Sequence, residues 1–335
     1  MYGSAGIEYQ AMSEPNSSTR SEYEILESGA AWLRDGESVV LATVAHTWGS
    51  SPRPIGAVMV LTESGKFLGS VSGGCIEEEL LQRVRQDFPR KFETIEYSSD
   101  TSRTLPCGGR LLLTLEVLDQ VSDLAEMLDR LRAGERVVRE INLLTGEGRI
   151  RATAERLRSS MSGEILRVVY ESNWKLQVVG AGELASWVCR TAAMLGYDIA
   201  VCDPRPDYRS AWPLPEHHVD ERYPDDFFTA FPADPRTAVV ALTHDPKVDD
   251  LAVMAALESE AFYVGALGSR RTTKNRAERL QEHFGISSEA LARVRGPIGI
   301  DLNTRHPQEI ALSIMVDITA ARNGVEITTR RLPNE

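Results

Sequence analysis

The chain has 335 residues, is 42% hydrophobic and 26% charged, and carries a formal net charge of −12. That length favours two domains with separate cores, and the acidic balance excludes a nucleic-acid partner, which needs a basic footprint. No apolar run approaches the roughly 18–20 residues of a membrane span, and the cysteines lack Cys-x-x-Cys spacing, which argues against a disulfide framework or structural zinc and for a reducing cytoplasm.

Residues 1–20 are polar and rich in small side chains, and are expected to form a disordered tail rather than a signal peptide. Ser21–Arg34 places Ile25, Leu26, Ala30 and Leu33 at helical spacing, and Asp35-Gly36 ends it. Val39–Ala45 is short and β-branched, the pattern of a buried strand, and His46–Gly56 (HTWGSSPRPIG) reads as a loop. Ala57–Thr62 and Phe67–Val71 flank a turn, and a helix over Ile76–Gln86 starts directly after Cys75. Phe92–Tyr97 and Leu111–Val117 read as strands, the second emerging from Cys107-Gly108-Gly109. The next stretch holds a helix at Val121–Arg132 and a glycine-punctuated strand region, expected to pack on the first domain. From Lys175 the pattern changes. Leu176–Val179, Asp198–Cys202, Thr237–Leu242 and Ala261–Val264 read as strands separated mostly by helical periods. That alternation predicts a parallel sheet with helices on both faces.

Gly180-Ala181-Gly182-Glu183-Leu184-Ala185 fits G-x-G-x-x-A between an apolar strand and a helix over Glu183–Leu195. Gly182 would let a pyrophosphate approach the helix N–H groups, where the dipole supplies about half a positive charge. Asp203 ends the following strand, where an acidic residue meets a ribose hydroxyl in Rossmann-like folds. The bland alternative is a tight turn that binds nothing. Glu183 sets a carboxylate at the phosphate end, and Arg205 stands where it would receive a phosphate near the ribose.

In the first half, Ser50 and Ser51 supply hydroxyls, and Pro52 and Pro54 bracket Arg53, whose planar fork suits phosphate; a solvated surface arginine is the alternative. Gly73-Gly74-Cys75 leads into a helix, where a thiol pKa falls from about 8.5 towards 3.5–7.5. Glu77–Glu79 favour the same helix end but oppose a thiolate, and a buried structural cysteine remains equally open. Cys107, with Gly108 and Gly109, presents soft sulfur in a glycine loop, fit to ligate a thiophilic metal or carry a sulfur atom. Cys189 and Cys202 read as core. His244 is either a base oriented by Asp245 or a loop histidine with a local hydrogen bond. Ser269-Arg270-Arg271 suits a phosphate or a partner.

These segments, in this order, resemble the XdhC/CoxI family of accessory proteins for molybdenum hydroxylases. The motifs are GSSPRPIG at Gly49–Gly56, GSVSGGCIE at Gly69–Glu77, CGG at Cys107–Gly109, GAGELA at Gly180–Ala185, DPRP at Asp203–Pro206, THD at Thr243–Asp245, GALGSRRT at Gly265–Thr272 and GPIGIDLNTRHPQEIA at Gly296–Ala311. Departures occur at Glu183, where relatives often have histidine, at His46, where arginine is common, and at Pro106, where some have a second cysteine.

The resemblance implies an α/β protein: an N-terminal mixed α/β domain of the XdhC/CoxI type (residues 21–118), a connecting segment (119–172), a Rossmann-like parallel-sheet domain (173–325) and a tail (326–335). It implies a non-catalytic chaperone that binds the molybdenum cofactor, a molybdopterin in mononucleotide or cytosine dinucleotide form. Such a chaperone protects the cofactor during sulfuration and inserts it into an apo molybdenum hydroxylase of the xanthine dehydrogenase, aldehyde oxidoreductase or CO dehydrogenase type. A cysteine desulfurase, a molybdopterin cytidylyltransferase and a second copy of the chain are the other implied partners. Cys107 is the expected contact to the metal. The rival reading is an NAD(P)-dependent oxidoreductase with His244 or Cys107 near a nicotinamide.

Overall fold

The computed structural model describes residues 21–49, 53–98, 109–119, 124–155 and 157–327. The chain divides into two compact units, residues 1–172 and 173–335.

The first unit opens with α1 (Glu22–Arg34), started by a capping box in which Ser21 and Glu24 each accept the other's backbone N–H. Then follow β1 (Val39–Trp48), β2 (Val58–Thr62), β3 (Phe67–Gly69), α2 (Glu77–Gln86), β4 (Phe92–Tyr97) and β5 (Arg110–Leu118). These strands form an antiparallel sheet in the order β3-β2-β1-β5-β4. Side chains alternate across it. Val40, Ala42, Val44, Leu113 and Leu115 face Leu80 and Val84 of α2, while Val39, Leu41, Val58 and Val60 pack with Ile25 and Leu26 of α1.

Past residue 119 the chain is more regular than its pattern suggests. It folds into α3 (Leu124–Arg132) and a second antiparallel sheet of β6 (Arg136–Asn142), β7 (Gly148–Thr153), β8 (Ser160–Ser162) and β9 (Ile165–Tyr170), ordered β7-β6-β9-β8. Val137, Ile141, Leu166 and Val168 share one apolar cluster with α1, α3 and the first sheet. Arg139 of β6 is buried in the same region and paired with Glu116 of β5 at 2.5 Å.

The second unit runs β10 (Trp174–Val179), α4 (Glu183–Met194), β11 (Tyr197–Cys202), α5 (Pro206–Ser210), β12 (Val219–Asp220), α6 (Pro224–Ala230), β13 (Thr237–Ala241), α7 (Pro246–Glu258), β14 (Tyr263–Ala266), α8 (Arg270–Phe284), α9 (Ser288–Leu291), β15 (Val294–Arg295) and α10 (Pro307–Asn323). All six strands are parallel, in the order β12-β11-β10-β13-β14-β15. Numbered within the unit, this is 3-2-1-4-5-6, the doubly wound Rossmann order. Leu176, Val178 and Val240 meet α4 and α10 on one face; Val179, Val239 and Ala241 meet α6, α7 and α8 on the other. Two strands beyond the expected set, β12 and β15, are two residues each. Their brevity hides them from any period-2 reading. No described helix is long and apolar enough to cross a membrane.

Candidate functional site

In the first unit, two loops leave the sheet from one strand pair. β1 extends through His46, Thr47 and Trp48, which the sequence pattern places in a loop, because these residues pair with Leu112, Leu111 and Arg110 of β5. Gly49 then turns away at φ 81°, and a Cβ there would lie 3.8 Å from the Gly109 Cα. Ser50, Ser51, Cys107 and Gly108 lie outside the described residues. In the sequence the two serines directly follow Gly49, and Cys107-Gly108 directly precede Gly109. The roots of the serine–arginine loop and the cysteine loop are therefore neighbours. Arg53, on the return limb, is half-buried, and the chain rejoins the sheet where Gly56 N–H donates to Val44 O at 2.8 Å.

The GSVSGGCIE segment is organised from within by Glu77. Its Oε1 accepts from Ser70 Oγ at 2.6 Å, Val71 N at 3.1 Å and Ser72 N at 2.9 Å. Its Oε2 accepts from Gly74 N at 3.0 Å, Ile76 N at 3.1 Å and the Ser72 hydroxyl. Burial alone would raise this carboxyl, but the bonds from Ser70 and Ser72 outweigh it and bring the pKa down to about 2. The close approach signalled by Gly73 and Gly74 is thus made by the protein's own carboxylate, which fills the kind of backbone nest that elsewhere holds an anion. This network ends β3 at Gly69, short of the expected Val71, and starts α2 at Glu77. Gly73 and Gly74 (φ 79° and 107°) stay exposed, a Cβ on Gly74 would meet nothing within 4 Å, and Cys75 is half-buried beside them.

In the second unit the candidate residues line the carboxyl ends of adjacent strands, where open α/β sheets bind ligands. Strand order sets their sequence along the edge: Asp203 and Arg205 after β11, Gly180 and Gly182 after β10, His244 after β13, Ser269 and Arg270 after β14. The switch point falls between β10 and β13. Gly180 has φ 116°, and a Cβ would press to 3.0 Å on Thr243 Cγ2 and 3.1 Å on Leu242 C. Only glycine lets the turn lie this close to the neighbouring strand. Gly182 is the N-cap of α4 and supplies no side-chain cap, whereas Asp245 caps α7 and Ser269 caps α8. Of these three helix starts, α4 alone keeps its first-turn N–H groups free of a side-chain cap.

Asp203 is fully buried, behind that turn rather than in the open. Oδ2 accepts from Ala181 N at 2.8 Å and Arg205 Nη2 at 2.7 Å; Oδ1 accepts from Arg205 N at 3.0 Å and Nε at 2.9 Å. Burial works against the charge, but Arg205 and the Ala181 N–H hold the carboxyl below its ordinary value. Arg205 also donates to Thr243 O at 3.2 Å, and its guanidinium lies 3.7 Å from the Tyr208 ring centre. Three strand ends are tied through the Asp203–Arg205 pair.

His244 sits at φ 62° with its side chain exposed, between two pinned residues. Thr243 Oγ1 donates to Asp249 Oδ1 at 2.6 Å, and Asp245 is taken up as the α7 cap, accepting from Lys247 N at 2.9 Å. Burial raises the Asp249 carboxyl, opposed by Thr243 and by the Arg276 and His244 charges. Arg276, 3% exposed, bonds Asp249 and Asp250 and donates to Leu267 O at 3.3 Å. That braces the loop presenting Ser269, Arg270 and Arg271. α8 has no acidic residue in its first turn. Cys189 and Cys202 are core residues, and burial pushes the Cys189 thiol up to about 12.

Both units match models of known families: residues 32–98 the XdhC and CoxI family, residues 176–318 the XdhC Rossmann domain. The molybdenum cofactor insertion chaperone PaoD of Escherichia coli (strain K12) is 30% identical over 302 residues, covering 89% of this chain and 88% of that protein. The chain belongs to the XdhC and CoxI family. A second family relative, a probable xanthine dehydrogenase subunit of Bacillus subtilis (strain 168), is 26% identical over 330 residues, covering 89% of this chain and 97% of that one. A crystal structure of a Bacillus halodurans protein described as a xanthine dehydrogenase shares the fold, with a TM-score of 0.73 at 24% identity, covering 92% of this chain and 98% of that one.

In this family member the sequence pattern does not disclose Glu77 as an organiser, Tyr208 over Arg205, the Asp249–Asp250–Arg276 brace, or the His46–Trp48–Arg110 face at the loop roots. Tyr208 carried a usable signal, since it follows the DPRP motif closely. The others depend on pairing partners distant in sequence or on loop N–H groups that converge only in the fold.

Proposed function

We propose that this protein binds the molybdenum cofactor, protects it while a cysteine desulfurase supplies the sulfur that replaces a terminal oxo ligand, and passes it to the apo form of a molybdenum hydroxylase. It acts as a non-catalytic factor, a cytoplasmic homodimer, and receives the cofactor in cytosine dinucleotide form from a molybdopterin cytidylyltransferase. The observation that carries the reading is the β1–β5 pair, which roots the Ser50–Arg53 loop beside the Cys107-Gly108-Gly109 loop. Hydroxyl and guanidinium groups suit phosphate and a thiol suits a thiophilic metal, and this pairing gives their loops a common base. In this reading Cys107 contacts the metal, and Cys75 with Gly73 and Gly74 forms a second thiol loop. In the second unit the uncapped start of α4 at Gly180 and Gly182, with Arg205, His244, Ser269 and Arg270 along the same edge, is a candidate phosphate-binding edge. Asp203 orients that edge and does not touch the cargo. The names of the Escherichia coli and Bacillus subtilis relatives support the same cargo and client class.

A nicotinamide enzyme would ask Asp203 to accept a ribose diol, and both of its oxygens already serve Ala181 and Arg205.

The test is transfer. Protein loaded in cells that make the cofactor is mixed with a cofactor-free xanthine dehydrogenase-type apoenzyme. Activity should return, and should be largely lost with Cys107→Ala. Failure of the loaded protein to restore activity, where free cofactor succeeds, would overturn the reading.

A further inference from the structure

One face of the first sheet, at the roots of the two loops, carries His46 and Trp48 from β1, Arg110 and Leu112 from β5, and Glu96 from β4; the register puts them side by side. Trp48 is 36% exposed. The Arg110 guanidinium carbon lies 4.5 Å from its ring centre, fixed by Glu96 Oε1, which accepts from Arg110 Nε at 2.8 Å and Nη2 at 2.6 Å. The His46 ring meets Trp48 edge-on at 4.4 Å and 79°. His46 Nδ1 is buried and has no hydrogen-bond partner among the described residues.

A single exposed tryptophan is ordinary. An indole contacted by a guanidinium and, edge-on, by an imidazole, beside an orphaned ring nitrogen, is not. Glu96 cancels the Arg110 charge, so this face does not recruit phosphate. It offers an exposed, polarisable indole with one buried, unsatisfied ring nitrogen beside it. A planar heterocycle with donors and acceptors on its rim meets both needs. Within the function proposed above, on which this inference rests, the cargo contains such a group in its pterin.

We propose that Trp48, held by Arg110 and Glu96, is the platform on which the pterin ring of the cargo stacks, with His46 Nδ1 meeting a polar atom of the ring edge. Aromatic stacking of this kind changes affinity by roughly tenfold or more on truncation to alanine.

Wild type, Trp48→Phe and Trp48→Ala are purified without oxygen from cells that make the cofactor, and pterin per chain is measured beside the thermal midpoint. The platform predicts that Trp48→Ala retains about a tenth of the wild-type pterin or less, and Trp48→Phe about half or more. Independently, cofactor released from a molybdenum hydroxylase is added to cofactor-free wild type and Trp48→Phe. Quenching of tryptophan emission should be greater in wild type than in Trp48→Phe by the share that Trp48 contributes among the five tryptophans, which decides the question even if Trp48→Ala fails to fold. A pterin-bearing wild type matched by a folded Trp48→Ala, or equal quenching in Trp48→Phe, overturns the platform alone. A wild type that neither carries nor binds pterin overturns the cargo reading and the platform with it.

Discussion

Arg205 folds back on Asp203, two residues behind it, and takes both carboxylate oxygens, with Nη2 on Oδ2 at 2.7 Å and Nε on Oδ1 at 2.9 Å. The acidic residue at the end of the second Rossmann strand therefore braces the glycine turn through the Ala181 N–H and holds Arg205 against Thr243 O.

Asp203→Asn keeps the shape and removes the charge. Loss of charge-assisted bonds in a buried site costs about 2–3 kcal/mol, which lowers the thermal midpoint of a unit this size by roughly 5–10 °C. Thermal unfolding checks this. An Asn variant as stable as wild type that has lost saturable NADH binding would show instead that Asp203 serves a ribose.

Gly180→Ala should be far more disruptive than Gly285→Ala, though both glycines have positive φ, 116° and 67°. A Cβ at Gly180 collides with Leu242 backbone and Thr243, while at Gly285 it meets nothing within 4 Å. The Gly285 change costs about 1 kcal/mol. The Gly180 change adds steric strain, for a total above about 2 kcal/mol, and reduces cargo retention. Denaturant midpoints and pterin content of the two variants make the comparison.

Glu77 gives the first unit an acid-sensitive element. Its pKa is about 2 in the folded protein against an ordinary value of 4.5, so the stabilisation is fully present above pH 4.5 and is lost as pH falls towards 2. The shift bounds it at about 3 kcal/mol, less the screening at the loop's open side. Glu77→Gln should be destabilised at pH 6, with the gap to wild type narrowing steadily towards pH 3. A gap independent of pH would mean that the carboxylate charge does not organise the loop.

The Rossmann unit was legible because its signals are local: an apolar strand, a glycine turn and a helical period, repeated from Leu176 to Val264. The first unit was less so. β1 runs on through His46 and Thr47, whose polar side chains end the apolar pattern before the pairing with β5 ends. β6 buries Arg139, which breaks the alternation that would have revealed the second sheet. The role of Glu77 depends on loop N–H groups converging on it, and its position beside Glu78 and Glu79 looks like ordinary favourable charge at a helix start. Asp203 follows directly on its strand, as the spacing implies, but its burial beneath Arg205 is a tertiary fact that spacing does not carry.

The most direct test of the central claim is the pterin content of the protein itself. The chain is expressed in cells with intact cofactor synthesis and purified without oxygen; the fluorescent oxidised pterin and released nucleotide are then quantified. Binding of the cofactor as cargo predicts about one pterin per chain, CMP in equal amount, and a sharp fall with Cys107→Ala. Wild type and variant emerging equally free of pterin from such cells would contradict it.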